Sequence, residues 1–241
     1  MNLNRRKFLA TSLVASVGLA TSRLAGEEAT KPPATSTKQV KPEPVRGARQ
    51  DLDTVQAFVR AGHGQLEKVK EMIAQDPKLV FATWDWGGGD WETALGGASH
   101  VGSRECARYL LAQGARIDAF CAAMLGERAV VAELVAANPS VVTAKGPHGY
   151  TLLYHVAISG DVAMAEALRP RLPREAKDYS QALSAAVRDG HLEMTKWLFE
   201  NGTVNPNVAD ALGKRPLTTA LEKKFDAVAE ELRRHGARET E

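Results

Sequence analysis

The clearest pattern in the chain is a recurring pair of short apolar segments, each long enough for a helix of two or three turns. In residues 93–118 a threonine opens a run of small and apolar residues, and Gly102 ends it. A second run then carries Leu110 and Leu111 at helical spacing, and Gly114 turns the chain. This pattern predicts two amphipathic helices joined by a tight turn.

The pattern recurs along the chain, and the glycine that ends each first segment marks its phase. The markers are Gly64, Gly102, Gly126, Gly160 and Gly190, with Lys224 in the sixth slot. An apolar residue stands eight positions after each marker: Met72, Leu110, Leu134, Leu168, Leu198 and Leu232. We therefore expect six helix-turn-helix units, with these side chains and Leu111 buried between neighbouring units.

Three units carry residues that resemble the ankyrin repeat, a unit of about 33 residues built from a turn and two helices. They are the second (Thr93, Leu95, Ala98, Gly102, Leu110, Leu111, Gly114, Ala115), the fourth (Thr151, Leu153, Ala157, Gly160) and the sixth (Pro216, Leu217, Ala220, Leu232, Gly236, Ala237). The resemblance implies an all-α solenoid of about six stacked units over residues 51–241, with the first and third degenerate. It also implies a non-catalytic binding protein.

The first fifty residues do not share this pattern. Arg5 and Arg6 precede an apolar run over residues 9–20, which resembles a twin-arginine export signal and is too short to span a membrane. We expect residues 1–25 to be a signal peptide and the proline-rich residues 26–50 to be a disordered tether. The protein is then exported, with a periplasmic location expected, and has no stable membrane anchor.

The export prediction has a direct test. Replacing both Arg5 and Arg6 by lysine should leave uncleaved precursor in the cytoplasm, because the twin-arginine pair is the feature that the route reads. Immunoblotting of fractionated cells measures this, and export at the normal level would rule the route out.

The charge of the repeat region argues against a nucleic-acid partner. The whole chain has a formal net charge of +2, but residues 1–25 hold four bases and no acid, and residues 26–50 hold five bases and three acids. Residues 51–241 therefore carry −4 and lack the basic stripe that phosphate binding needs. We expect a monomer whose partner is another protein or a peptide.

The spacing between markers departs from the repeat in one place. Gly126 follows Gly102 by only 24 residues, whereas the other markers are 30 to 38 residues apart. The missing residues belong to the loop, here called a finger, that should precede the third unit. Fingers remain before the second unit (residues 84–91, finger 2) and the fourth (residues 145–150, finger 4). From stacking distances of 8 to 10 Å we expect them to stand about 20 Å apart across a gap. We expect a partner to bind across it through Trp84, Asp85, Trp86, Asp90, Trp91, His148 and Tyr150.

Chemistry-bearing residues are present, but the spacing predicts that they do not converge. The candidates are Asp85, Asp90, His100, His148, His155 and His191. We expect no catalytic residue, no metal and no cofactor, although a metal bound locally by Asp85, Asp90 and His148 stays open. Cys106 and Cys121 either pair or pack as buried thiols.

The leading hypothesis for function is an exported, non-catalytic protein-binding module that holds its partner on the concave groove and the fingers. One alternative is a small-molecule or metal-assisted enzyme that uses the tryptophan-walled gap between the second and fourth repeats. Another is a structural spacer.

Overall fold

The computed structural model describes residues 49–210 and 212–239. The expected signal peptide and nearly all of the expected tether lie outside these residues. Those two domain boundaries therefore stay predictions.

The described chain contains twelve α-helices in six pairs. They are α1 Leu52–Ala61, α2 Leu66–Gln75, α3 Ala94–Val101, α4 Arg104–Ala112, α5 Ala119–Leu125, α6 Arg128–Ala137, α7 Leu152–Ser159, α8 Val162–Leu168, α9 Ala176–Arg188, α10 Leu192–Asn201, α11 Pro216–Glu222 and α12 Asp226–Arg234. Two short antiparallel strands, β1 Thr83–Asp85 and β2 Trp91–Thr93, form the stem of finger 2. Single 3-10 turns cover Pro77–Phe81, Pro139–Val142, Pro147–Gly149 and Arg169–Arg171.

Local sequence explains where the first helices begin and end. The side chains of Thr93, Asp118 and Thr151 each accept a hydrogen bond from the main-chain N–H three residues later, which caps α3, α5 and α7. Gly102 and Gly126 end the first two of these helices with φ of 80° and 83°, in the left-handed region that glycine adopts without strain. Gly102, Gly126 and Gly160 thus end their helices, as predicted, whereas Gly64 and Gly190 lie just beyond the C-caps Gly62 and Asp189.

The helix pairs stack in one direction. The first helices α1, α3, α5, α7, α9 and α11 contact one another in that order, and each packs against the second helix of its own pair. The all-α solenoid expected from the ankyrin resemblance is confirmed. The third unit is short, because only residues 113–118 connect α4 to α5 and no finger fits in that connection.

The predicted burial of the second helices holds in part. Leu110, Leu168, Leu198 and Leu232 are buried, but Leu111, Met72 and Leu134 are only half-buried. In the degenerate first and third units the next residues, Ile73 and Val135, are buried instead. Helices α2 and α6 are each followed by a 3-10 turn that begins with proline and buries Leu79 or Val142 in the core. Each helix therefore turns the face with Ile73 or Val135 inward.

The expected gap between the fingers is absent, and that prediction is wrong. Finger 4 leans over the short third unit, where Gly146 packs on the ring of Phe120, and Pro147 approaches Gly96 of α3. The hydroxyl of Tyr154 also donates to the carbonyl of His100 at 3.1 Å, joining first helices two units apart. With no third finger in the way, the two remaining fingers meet.

The two cysteines and the lengths of the helices can be compared with what the sequence predicted. Cys106 and Cys121 are both buried free thiols, and burial raises the pKa of Cys121 to about 12. Within the described residues, none of the helices is sufficiently long and apolar to cross a bilayer.

The stacking predicts how two adjacent leucines differ. Leu110→Ala should lower the free energy of unfolding by about 2 to 5 kcal/mol, because its side chain is fully buried between units. Leu111→Ala is the matched control and should cost clearly less, since that side chain is half-buried. Urea unfolding measures both values, and equal losses would contradict the packing described here.

Candidate functional site

Finger 2 is a tight hairpin that positions two acidic residues. The strands pair Trp84 with Glu92, and the main-chain N–H of Trp86 donates to the carbonyl of Asp90 at 3.0 Å. The tip residues Gly87, Gly88 and Gly89 all have positive φ, which suits glycine. This geometry places Asp90 at the edge of the hairpin and turns Glu92 inward.

Finger 4 presents His148 to that hairpin. His148 has a φ of 57°, a left-handed conformation that is unfavourable for a residue with a side chain. The carboxylate of Asp90 accepts two hydrogen bonds from it, one from the main-chain N–H at 2.8 Å and one from Nδ1 at 2.7 Å. These two bonds stabilise the strained residue and join the fingers.

Four side chains converge beneath this contact, and we call them the histidine cluster: His63, Glu92, His100 and His148. One ligand atom of each lies within 4.8 Å of every other. Nε2 of His100 lies 3.0 Å from Nε2 of His63 and 3.0 Å from Oε1 of Glu92. Nε2 of His63 is 3.4 Å from Oε2 of Glu92, and Nε2 of His148 is 3.6 Å from Oε1.

Two glycines of α3 make room for the cluster. A Cβ atom on Gly97 would lie 2.7 Å from Cε1 of His63, so any larger residue there would displace the imidazole. A Cβ atom on Gly96 would lie 3.4 Å from Cγ of Glu92 and 3.3 Å from Pro147. The pair of glycines in this helix therefore allows His63, Glu92 and finger 4 to approach it together.

The outer hydrogen bonds set the tautomers of two histidines. Nδ1 of His63 lies 3.2 Å from the carbonyls of both Val59 and Arg60, and carbonyls only accept. Nδ1 of His148 faces the Asp90 carboxylate, which also accepts. In the neutral form both rings thus carry their proton on Nδ1 and turn the lone pair of Nε2 toward Glu92.

Glu92 is the buried centre of the cluster. Its side chain has no exposed surface, and Oε2 accepts a hydrogen bond from Nε1 of Trp86 at 2.7 Å. Oε1 has no hydrogen-bond donor of good geometry, although His100 is close. Burial alone would raise the pKa of Glu92, but His100, His63 and Trp86 outweigh it and hold that pKa below its usual value. Burial lowers the pKa of His100, which favours the neutral form of its ring.

The cluster brings together residues that the sequence analysis kept apart. Asp90, His100 and His148 do converge, contrary to the expectation from spacing, because finger 4 leans across the third unit. His63 and Glu92 were missed. Their only sequence signal is the glycine pair that faces them.

Other candidate residues lie outside the cluster. Asp85 accepts a hydrogen bond from the N–H of Gly87 within its own turn. His155 is fully buried, which lowers its pKa to about 4, and its Nδ1 bonds to the carbonyl of Thr151. His191 contacts the carbonyl of Ile158.

The residues expected to touch a partner occupy different environments. Trp91 is 60% exposed, whereas Trp84 is half-buried against the core. Trp86 packs its ring near His63 and His148 and is therefore part of the surroundings of the cluster. Tyr150 stacks on both His100 and Tyr154, with ring centroids 5.6 and 4.0 Å away. Partner binding by these residues stays a prediction.

A groove opens beside the cluster, on the side of Tyr150. It is a cavity of about 330 Å³ bounded by α7, α9, α11 and the loop that precedes α11. Its lining includes Tyr150, Tyr154, Gln181, Arg188 and Lys214. Because Tyr150 touches both features, the groove and the cluster share one wall.

Comparison with known proteins supports the ankyrin resemblance over part of the chain. The family model described as Ankyrin repeat matches residues 180–211. The chain is also similar to the mitochondrial liver isoform of glutaminase from Mus musculus, with 40% identity over 73 residues. That match covers 29% of this chain and only 12% of the glutaminase. The class that the fold defines is an all-α, ankyrin-like repeat solenoid, and one of its repeats matches the ankyrin family model.

The contact between the fingers predicts that substitutions at Asp90 and Asp85 affect finger 4 differently. Asp90→Ala should speed amide hydrogen exchange in finger 4, because it removes both bonds that hold His148. Asp85→Ala is the matched control, since its carboxylate bonds only to Gly87 within finger 2. Exchange in finger 4 should stay normal in that control. Equal protection of finger 4 in both variants would show that the fingers do not depend on each other.

Proposed function

We propose that this chain is a non-catalytic protein-binding module that holds an extended peptide segment of its partner in the groove. The observation that carries the proposal is the position of the cavity, on first helices of successive units and the loops before them. In solenoid proteins, the concave surface built by successive repeats is the usual binding surface. A cavity of about 330 Å³ is large enough for a few side chains of a partner.

The lining favours a peptide with acidic side chains. Lys177, Arg188 and Lys214 contribute positive charge, with Arg188 paired to Asp189 and Lys214 to Glu222, and Asp210 is the acidic residue of the lining. The Asp210 carboxylate accepts hydrogen bonds from the main-chain N–H groups of Leu212 and Lys214, so it serves its own turn. Arginine and tyrosine are residue types that often dominate binding energy.

We further propose that the module acts after export. The support is the pair Arg5 and Arg6 before a short apolar run, followed by a proline-rich segment that suits a tether. The 60% exposed Trp91 on finger 2 is the best candidate for an additional contact with the same partner.

Peptide selection tests the groove. Peptides selected from a random display library on the full chain should be enriched in acidic residues. Gln181→Trp should weaken their binding at least 10-fold, because Gln181 is half-buried in the groove wall. Glu200→Trp on α10 is the matched control, since Glu200 is exposed and is not part of the groove lining.

Fluorescence anisotropy measures both affinities, and circular dichroism checks that each variant is folded. Selected peptides that bind the two variants equally would place binding elsewhere on the surface. A library without enrichment on the wild-type chain would also count against peptide binding.

A further inference from the structure

We propose that the histidine cluster binds one divalent transition-metal ion through Nε2 of His63, His100 and His148 and a carboxylate oxygen of Glu92, with Zn²⁺ as the reference ion. This departs from the sequence expectation of no metal, which depended on a separation that the folded fingers do not have. The inference of a metal here does not rest on the proposed peptide binding in the groove.

The spacing of the four ligand atoms fits a single ion. Atoms about 2.0 to 2.1 Å from one zinc ion in a tetrahedron lie about 3.3 to 3.4 Å apart. With Oε1 as the Glu92 ligand atom, Nε2 of His100 lies 3.0 Å from Oε1 and 3.0 Å from Nε2 of His63, and Nε2 of His148 lies 3.6 Å from Oε1. All four ligand atoms lie within 4.8 Å of one another. Shifts of a few tenths of an ångström would bring these three contacts to the ideal separation, and the wider pairs would close further as the ion draws the ligands together.

The cluster also presents more lone pairs than protons. With their Nδ1 protons directed outward, neutral His63 and His148 face the Glu92 carboxylate with Nε2 lone pairs. A proton on Nε2 of His100 can be donated to only one acceptor at a time, either Nε2 of His63 or the Glu92 carboxylate. An acceptor facing a buried carboxylate is unfavourable without a cation between them. A metal ion would satisfy all four atoms together.

Outer hydrogen bonds already orient the ligands. Asp90 holds His148 through Nδ1, which is the carboxylate–histidine arrangement common around zinc. The carbonyls of Val59 and Arg60 hold His63 in the same way. Trp86 donates to Oε2 of Glu92, which leaves Oε1 directed at the cluster without a good donor. Such outer partners fix both the tautomer and the ring orientation that a metal needs.

Charge and access both suit a divalent cation. Asp90 and Glu92 bring two carboxylates to the three imidazole rings, and one divalent ion balances two carboxylate charges. Imidazole nitrogen with carboxylate oxygen favours ions such as Zn²⁺ over Mg²⁺ or Ca²⁺, which prefer oxygen alone. The side chains of His63 and His148 are 26% and 34% exposed, which gives an ion a path from solvent.

The ion would join parts of the chain that are distant in sequence. His63 follows α1, Glu92 lies on β2, His100 on α3 and His148 on finger 4. These residues belong to the first, second and fourth units. Bound metal would therefore hold the two fingers together and stabilise the wall that they share with the groove.

Calorimetric titration of the untagged full chain with Zn²⁺, after treatment with a chelator, tests the proposal. The wild-type chain should bind one ion, and the ion should raise its melting temperature. His148→Ala should weaken binding at least 10-fold and abolish most of the thermal shift. The matched control is His235→Ala, which removes a histidine outside the cluster and should leave both readouts unchanged.

A second variant and a second probe guard against misfolding. If His148→Ala is not folded by circular dichroism, the partly exposed His63→Ala should show the same loss. Co²⁺ added to the wild-type chain should give the intense visible absorption of tetrahedral coordination. The proposal is overturned if the wild-type chain binds no zinc, if the cluster variants bind as tightly as wild type, or if Co²⁺ keeps the spectrum of the hydrated ion.

Discussion

The structure depends on one constraint, which is that each helix pair can bury its apolar face only against the next pair. This makes the stack one-dimensional, so the length of every unit decides which loops become neighbours. The third unit lacks a finger, and finger 4 fills that space by packing Gly146 on Phe120. From that single shortening follow the contact between Asp90 and His148 and the cluster beneath it.

The cluster shows how the fold accepts local costs to bring these groups together. His148 adopts a left-handed backbone, which costs on the order of 1 to 3 kcal/mol, and the two hydrogen bonds that it donates to Asp90 offset that strain. Gly97 lies inside a helix, where glycine costs about 1 kcal/mol relative to alanine, yet only glycine leaves room for His63. Structural stacking alone does not require either feature. Both allow the four side chains of the cluster to approach one another.

The repeat architecture could be predicted from sequence because glycine markers and buried leucines recur at regular positions. The failures have local causes. Met72 and Leu134 are less buried than their phase implies, because proline-led turns rotate the inward face of α2 and α6. The cluster was missed because repeat spacing predicts where a finger begins in the chain but not the direction in which it extends from the helices. The adjacent glycines of α3 were the available signal, since such glycines mark a close approach.

The most direct test of this account is nitrogen NMR of the chain's six histidines, before and after one equivalent of Zn²⁺. The account predicts that His63 and His148 carry their proton on Nδ1, and that zinc shifts Nε2 of both and of His100. The rings of His155, His191 and His235 should not change. Zinc-induced shifts confined to those three rings, or no shifts at all, would contradict a metal-binding cluster at the junction of the fingers.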